Sequence, residues 1–173
     1  MRKPAMLVLL ALTLGHPAQA QPEPHNALPA GLPGGIELRL PVPGACISSP
    51  FGARHAIGLH AALFHNGIDL PAPAGTWVGA AAAGQVVAVR HLGSSGLEVD
   101  IAHGPPGHGF ITRYAHLGSV APAIATGSSR VAAGDRIGRI GRSGITSGTH
   151  LHFELRIDGN PVDPALHLHT NSC

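Results

Sequence analysis

Two histidines and a glutamate alternate with apolar residues near the end of the sequence. His150, His152 and Glu154 are separated by Leu151 and Phe153. In a strand, successive side chains point to opposite faces, so the three polar residues would share one face with neighbours about 7 Å apart. This spacing allows one imidazole to bind a metal ion while another contacts a bound water. An exposed polar strand face without a metal is the alternative.

A second pair of candidate ligands, His65 and Asp69, flanks an Asn-Gly dipeptide. On a straight strand the two residues would lie about 13 Å apart, too far to share one ion. Asn66-Gly67 is a strong turn signal, and a turn there would bring both side chains to one point. Alone, this segment indicates only a plain turn. Together with the His-x-His strand it supplies two histidines and one carboxylate, a catalytic zinc complement that leaves a position for water.

His116 follows Tyr114-Ala115 at the end of another predicted strand. A lone histidine is more often structural than catalytic. Next to a zinc site, however, a histidine that is not a ligand is a candidate for handling the proton of the attacking water. The other histidines after residue 20 are expected to lie in loops or at the surface; they are His25, His55, His60, His91, His103, His108, His167 and His169.

The elements that must position these residues are predicted to be short strands. Runs with β-branched or aromatic members, bounded by Gly or Pro, span residues 46–52, 77–80, 85–89, 97–101, 110–114, 136–140 and 151–157. We also assign Ala80–Ala83 to a β segment rather than to a helix. Strands this short and evenly punctuated predict a mostly β fold, with an antiparallel sheet folded over on itself rather than strands alternating with helices.

The composition agrees with a small β domain. The 173 residues are 44% hydrophobic, only 3% aromatic and 12% charged, with 24 Gly and 16 Pro. An ordinary soluble domain carries about 25% charged residues. Frequent glycines and prolines exclude a long helical bundle, and the scarcity of rings requires a core of Val, Ile, Leu and Ala. The length allows one domain.

The first 20 residues have the three parts of a secretory signal peptide. Arg2 and Lys3 precede an apolar run over 5–14, and Ala-Gln-Ala at 18–20 provides a cleavage site. A membrane anchor is the alternative, but about ten apolar residues are too few to span ~30 Å of hydrocarbon. We therefore expect export to the periplasm or the cell exterior. Residues 21–44 are predicted to be a Pro/Gly-rich arm or linker, and residues 45–173 the ordered domain.

The formal net charge of +2 largely reflects the predicted signal peptide. Without Arg2 and Lys3, the 11 cationic residues become nine, against nine acidic ones. The remaining nine are scattered arginines, which argues against a nucleic-acid binder. We expect a monomer with no nucleic-acid partner and no membrane contact after signal cleavage.

Cys46 and Cys173 are the two cysteines of the chain. In an exported protein an even number favours a disulfide, which here would tie the last residue to the start of the domain. Two free or intermolecular thiols are the alternative.

Four motifs together resemble the lysostaphin-type (LytM-like) zinc metallopeptidases. They are SPFGAR at 49–54, HNGIDL at 65–70, YAHL at 114–117 and SGTHLHFE at 147–154, in the order found in that family. The resemblance covers about residues 46–166. It implies a two-layer antiparallel β sandwich-like domain with the zinc in a groove, and hydrolysis of peptide bonds in bacterial peptidoglycan. By motif, His65, Asp69 and His152 would bind Zn²⁺, and His116 and His150 would be the catalytic pair.

The chain departs from the family pattern in two places. Thr149 stands where the family often has Pro, and the run 121–130 lengthens the connection after His116. Both bear on groove shape and substrate fit rather than on the ligands. The family favours D-alanyl–diaminopimelate links as the substrate, with glycine bridges as the alternative. The rival functions are a non-catalytic peptidoglycan-binding or hydrolase-activating protein of the same fold and a metal-sequestering exported protein.

Overall fold

The computed structural model describes residues 31–54 and 63–173, which fold mainly into antiparallel strands. The predicted mostly β, antiparallel fold is confirmed. The elements are β1 (Gly52–Ala53), β2 (Phe64–His65), β3 (Ile68–Pro71), β4 (Trp77–Gly79), β5 (Gly84–Leu92), β6 (Gly96–His103), β7 (Phe110–Val120), a one-turn helix α1 (Pro122–Ala125), β8 (Arg130–Val131), β9 (Arg136–Ile140), β10 (His150–Ile157) and β11 (Asn160–Val162), with 3-10 turns at Pro33–Gly35 and Pro164–His167.

Strand β7 links two layers of the domain. Its first half pairs with β10 on one side and β6 on the other, and the order β11-β10-β7-β6-β5-β8 forms the larger layer, with β3 also paired to β10. Its last residues pair instead with β9, which in turn pairs with β4. Just after β4, the backbone N–H of Ala81 donates to the Tyr114 hydroxyl at 2.8 Å, so the β4–β9 layer lies over the inner face of β7.

Aliphatic side chains fill the space between the layers, as the scarcity of aromatic residues requires. On β10 the odd-numbered Leu151, Phe153 and Leu155 are fully buried, while His150 and His152 lie on the opposite face. Burying apolar surface contributes about 25 cal/mol per Å², so this alternation fixes which face of β10 carries the histidines.

The alanines at 80–83 differ from the prediction of a β segment. They form a bend between β4 and β5, and Ala80, Ala81 and Ala82 are almost completely buried. Small side chains let this connection pass directly over the core, which the local sequence does not reveal.

Residues 31–44 also differ from the prediction of a loosely ordered arm. Leu32, Leu38 and Val42 are buried in the core, and the Arg39 N–H donates to the Ala81 carbonyl at 2.8 Å. Packing of the domain therefore begins before Ala45. The predicted signal peptide and the first part of the arm lie outside the described residues. Among the described residues, no helix is long and apolar enough to cross a membrane.

A disulfide joins Cys46 to Cys173, which resolves the two alternatives left by the sequence. It closes a loop of 127 residues and lies beside a parallel bridge between Ile47 and Ser172. The segment that follows Ile47 pairs with β3, because Ser48 and Ser49 exchange backbone hydrogen bonds with Asp69 at 2.9 and 3.0 Å. The disulfide therefore anchors a segment that contacts a candidate metal ligand.

Replacing both cysteines with serine is expected to lower the free energy of unfolding by about 2–5 kcal/mol, because the unfolded chain regains the freedom of a long loop. Urea denaturation followed by circular dichroism measures this change. Wild-type protein in excess reductant is the matched control and should show the same lowered midpoint. An unchanged midpoint in both samples would contradict a stabilising role for the bond.

Candidate metal centre and active site

The turn at Asn66-Gly67 brings His65 and Asp69 together. His65 Nε2 lies 3.1 Å from Asp69 Oδ1, although the residues stand at the end of β2 and within β3. Gly67 packs so closely that an added Cβ would lie 2.2 Å from the Phe153 carbonyl oxygen. Glycine is therefore required here for close approach to β10, which holds the two candidate ligands against that strand.

His152 enters the same cluster from β10. It pairs in register with Asp69 of β3, and its Nδ1 lies 3.0 Å from both Asp69 Oδ1 and His65 Nε2. The three side chains form a group that could hold a metal ion. A zinc ion with bonds of about 2.0–2.1 Å would fit at the centre of three atoms spaced this closely.

Hydrogen bonds outside the cluster orient both imidazoles. His65 Nδ1 donates to the Pro50 carbonyl at 2.7 Å, and His152 Nε2 donates to Glu154 Oε1 at 3.1 Å. In each ring, the nitrogen that faces Asp69 is therefore the one left to bind a metal ion. Such partners of metal-binding histidines fix the tautomer and increase ligand basicity.

The charges around the cluster favour a cation. Burial raises the pKa of Asp69, but hydrogen bonds from His152 and His65 outweigh burial and hold that pKa well below its usual range. Burial lowers the pKa of His152, but Asp69 and Glu154 raise it to about 9. A divalent ion bound here would compete with a proton for His152 Nδ1 and balance the charge of Asp69, so the donor set fits zinc.

Arg54 holds the other oxygen of the candidate carboxylate ligand. Its Nη2 lies 3.3 Å from Asp69 Oδ2 and donates to the Ser49 hydroxyl at 3.0 Å. Oδ1 is thereby left to face the two histidines. Arg54 belongs to the first of the four motifs, but the sequence alone assigns it no role.

His150 lies two residues before His152 and on the same face of β10. Its Nδ1 lies 3.1 Å from the Gly148 carbonyl, to which it donates, and its Nε2 lies 3.4 Å from Asp69 Oδ1. The proton is therefore on Nδ1, and Nε2 is directed toward the cluster.

His116 reaches the cluster through a bulge in β7. Its φ of 61° is in the left-handed region, which is uncommon for a residue other than glycine. The bulge falls where β7 changes partner: Ala115 pairs with His152 and Leu117 pairs with Ile140. It turns the His116 ring toward the cluster, with its centroid 5.0 Å from that of His150. Strained backbone of this kind is frequent at active sites.

Ser143 fixes the orientation of the His116 ring. The His116 Nδ1 donates to the Ser143 carbonyl at 2.9 Å, and the Ser143 hydroxyl donates to the Leu117 carbonyl at 2.7 Å. The loop before β10 is thus tied to the bulge residue and to the residue that follows it. The sequence analysis missed Ser143, and no local signal identifies it because it acts through a contact 27 residues away.

The imidazole rings of His116 and His150 are both neutral near neutral pH. Burial lowers the pKa of His116 and outweighs the hydrogen bond to Ser143. Burial likewise lowers the pKa of His150 against the attraction of Asp69. Each neutral ring presents an unprotonated Nε2, which can accept a proton from a water molecule and later return it. The structure thus brings together all five side chains that the motifs single out.

Most of the other histidines lie away from this cluster. His103 differs from the prediction of a loop position, because it ends β6 and is buried, where its ring donates to the Ala83 carbonyl at 2.9 Å and stacks on Phe110. His91 lies at the surface end of β5. His25, His55 and His60 lie outside the described residues.

Comparison with known proteins assigns the family. Residues 63–164, more than half of the chain, match Peptidase family M23. The chain belongs to peptidase family M23. The resemblance inferred from the four motifs is thereby confirmed for the family.

Named relatives of this M23 protein act on peptide bonds. It is 42% identical over 118 residues to the DD-carboxypeptidase/endopeptidase Mpg of Neisseria meningitidis serogroup B, a match that covers 68% of this chain and 26% of Mpg. It is 38% identical over 99 residues to the peptidoglycan DD-endopeptidase ShyA of Vibrio cholerae, covering 57% of this chain and 22% of ShyA. The matches thus span about a quarter of these relatives.

A solved structure of a zinc-containing peptidase from Vibrio cholerae has the same fold as this M23 domain. The TM-score is 0.63 at 29% sequence identity, and the match covers 74% of this chain and 39% of that one.

Proposed function

We propose that this protein is an exported zinc metalloendopeptidase that hydrolyses peptide cross-links of bacterial peptidoglycan. The observation that carries the proposal is the convergence of ring nitrogens from three histidines on one carboxylate oxygen, with the ring of His116 beside that of His150. His65 and His152 lie within 3.1 Å of Asp69 Oδ1, and His150 Nε2 lies 3.4 Å from the same oxygen. Membership of a peptidase family and relatives named DD-endopeptidase support this reading.

The ligands in this proposal are His65 Nε2, Asp69 Oδ1 and His152 Nδ1. A zinc ion held there would lower the pKa of a coordinated water toward about 7 and polarise the scissile carbonyl. His150 would receive the proton of the attacking water on Nε2, because that atom faces the ligands most directly. His116 Nε2, in the ring next to that of His150, would be a second acceptor for this proton, and the protonated imidazole would pass it to the leaving amine.

The substrate class follows from the names of two relatives. Mpg and ShyA are both named for DD-peptide chemistry. We therefore propose that the bond cleaved here is a DD-peptide link, with export placing the protein beside the cell wall. Neither name refers to glycine bridges, which were the alternative substrate.

Purified protein is expected to bind about one zinc per chain and to release peptides from isolated cell walls. Metal content by mass spectrometry and fragment masses from defined walls measure both properties. Treatment with o-phenanthroline should abolish peptide release, and added Zn²⁺ should restore it. Zinc binding without peptide release would instead indicate a non-catalytic protein of this fold, and release that resists the chelator would contradict the metal mechanism.

A further inference from the structure

Beyond the candidate metal centre, the same face of the larger layer carries acidic and basic side chains in alternation across four strands. In register, Glu154 of β10 lies opposite Arg113 of β7, and Arg113 lies opposite Asp100 of β6. Glu98 of β6 lies opposite Arg90 of β5. Residues directly opposite one another share a face of the sheet, so this row continues the face that carries the candidate ligands.

The acidic members of this row are buried, and Arg90 and Arg113 are partly exposed. The side chains of Glu98 and Asp100 are 4% and 7% exposed, whereas those of Arg90 and Arg113 are 35% and 21% exposed. Arg113 donates from Nε and Nη2 to the two oxygens of Asp100 at 2.8 and 2.9 Å, and Arg90 donates from Nε to Glu98 at 2.8 Å. The inner edge of each guanidinium is therefore occupied by a buried carboxylate.

Arg90 and Arg113 both line a groove of about 420 Å³, which we call the arginine groove. Its walls are Arg90, Glu98, Arg113 and the loop at 92–95. Within residues 31–54 and 63–173, neither arginine donates a hydrogen bond from Nη1; Arg113 Nη1 lies 3.9 Å from the nearest oxygen of Glu154. The Nη1 group of each arginine thus has no hydrogen-bonded partner among these residues and can donate to a ligand.

The arginine groove adjoins the candidate active site. Ala115 lies opposite His152, and Arg113 is two residues earlier on the same face of β7, which corresponds to about 7 Å. Ser95, in the wall of the groove, accepts a hydrogen bond from the His116 N–H at 3.0 Å. An extended peptide bound across the centre would reach the groove within about two residues of its scissile bond.

We propose that the arginine groove binds a free carboxylate of the peptide substrate and thereby selects peptides that carry one within about two residues of the cleaved bond. This inference rests on the proposed function. A carboxylate has two oxygens, and each could accept a charge-assisted hydrogen bond from the Nη1 group of one of the two arginines. If this carboxyl group were amidated, its oxygen would be a weaker hydrogen-bond acceptor, and its NH₂ group would be a donor directed at a cationic guanidinium.

The test compares synthetic cross-linked peptides that differ only in whether one carboxylate is free or amidated. One pair varies the C-terminal carboxylate and a second pair varies a side-chain carboxylate, so the two sources are separated. Wild-type protein is expected to cleave the free form of one pair with a kcat/KM about tenfold or more above that of its amide. In Arg90→Gln this preference should fall toward unity, mainly through a higher KM for the free form. Arg130→Gln, the same change at an exposed arginine of β8, should keep it.

Equal cleavage of free and amidated forms by wild-type protein would overturn the inference while leaving the peptidase function intact. A preference that persists in Arg90→Gln would overturn it too. If wild-type protein cleaves none of the peptides, NMR titration with the uncut free and amidated peptides tests carboxylate binding separately from catalysis. Changes in the guanidinium chemical shifts of Arg90 and Arg113 with the free form alone would support carboxylate binding in the arginine groove. The absence of such changes would refute it. Arg113→Lys, which keeps the charge over Asp100, serves as the second variant if Arg90→Gln does not fold.

Discussion

Asp69→Asn is expected to weaken zinc binding by more than about 100-fold and to reduce peptide release below detection. Loss of a hydrogen-bonding partner of a ligand typically costs 10–100-fold in metal affinity, and loss of an anionic ligand costs more. Asp69 contacts both candidate histidine ligands through Oδ1 and Arg54 through Oδ2. An amide keeps the shape of the side chain but removes the charge that holds this arrangement. Competition with a chromogenic zinc chelator measures the affinity.

Asp158→Asn is the matched control for this substitution. Asp158 is exposed and has a φ of 51°, a conformation that asparagine tolerates, so the variant should fold and bind zinc normally. If Asp69→Asn retained one tightly bound zinc per chain, the metal centre would have to be elsewhere. Circular dichroism of both variants distinguishes loss of the ion from loss of the fold.

The histidines on β10 show what a sequence can predict about a site. Alternation over 150–154 places His150 and His152 on one face because the intervening Leu151 and Phe153 must be buried. The same rule applied to 97–101 places Glu98 and Asp100 together, yet it does not reveal their arginine partners. Those partners depend on which strands become neighbours, and strand order is set by the whole core.

His116 shows the limit of such reasoning. The sequence predicts a strand at 110–114 with the histidine just beyond it, whereas β7 continues to Val120 and the histidine occupies a bulge within it. The bulge results from a change of pairing partner, and Ser143 fixes the ring from a loop distant in sequence. Neither the left-handed backbone nor this contact has a signature within a window of neighbouring residues.

The segment at 31–44 illustrates a different limit. Its Pro and Gly content is typical of a linker, but Leu32, Leu38 and Val42 complete the core. Irregular backbone can contribute buried apolar area without a periodic pattern, so periodicity alone underestimates the extent of the domain.

His116→Asn is expected to reduce kcat by about 10²–10⁴-fold while the chain still binds one zinc. Positioned acid or base groups contribute a factor of this size, and His116 is not among the candidate ligands. Asparagine accepts the left-handed backbone at this position, so the bulge should remain. His108→Asn, at an exposed loop histidine, should leave kcat unchanged.

The pH profile separates a catalytic role for His116 from a structural one. Because burial lowers its pKa, the ring stays neutral as pH falls through the ordinary histidine value of 6.5 and becomes protonated only below it. Protonation of His116 should therefore contribute an acid limb to wild-type kcat below pH 6.5, and that limb should change shape in His116→Asn. A variant with reduced kcat, full zinc content and an unaltered acid limb would show that His116 supports the site without transferring a proton, and His150 would then be the remaining base.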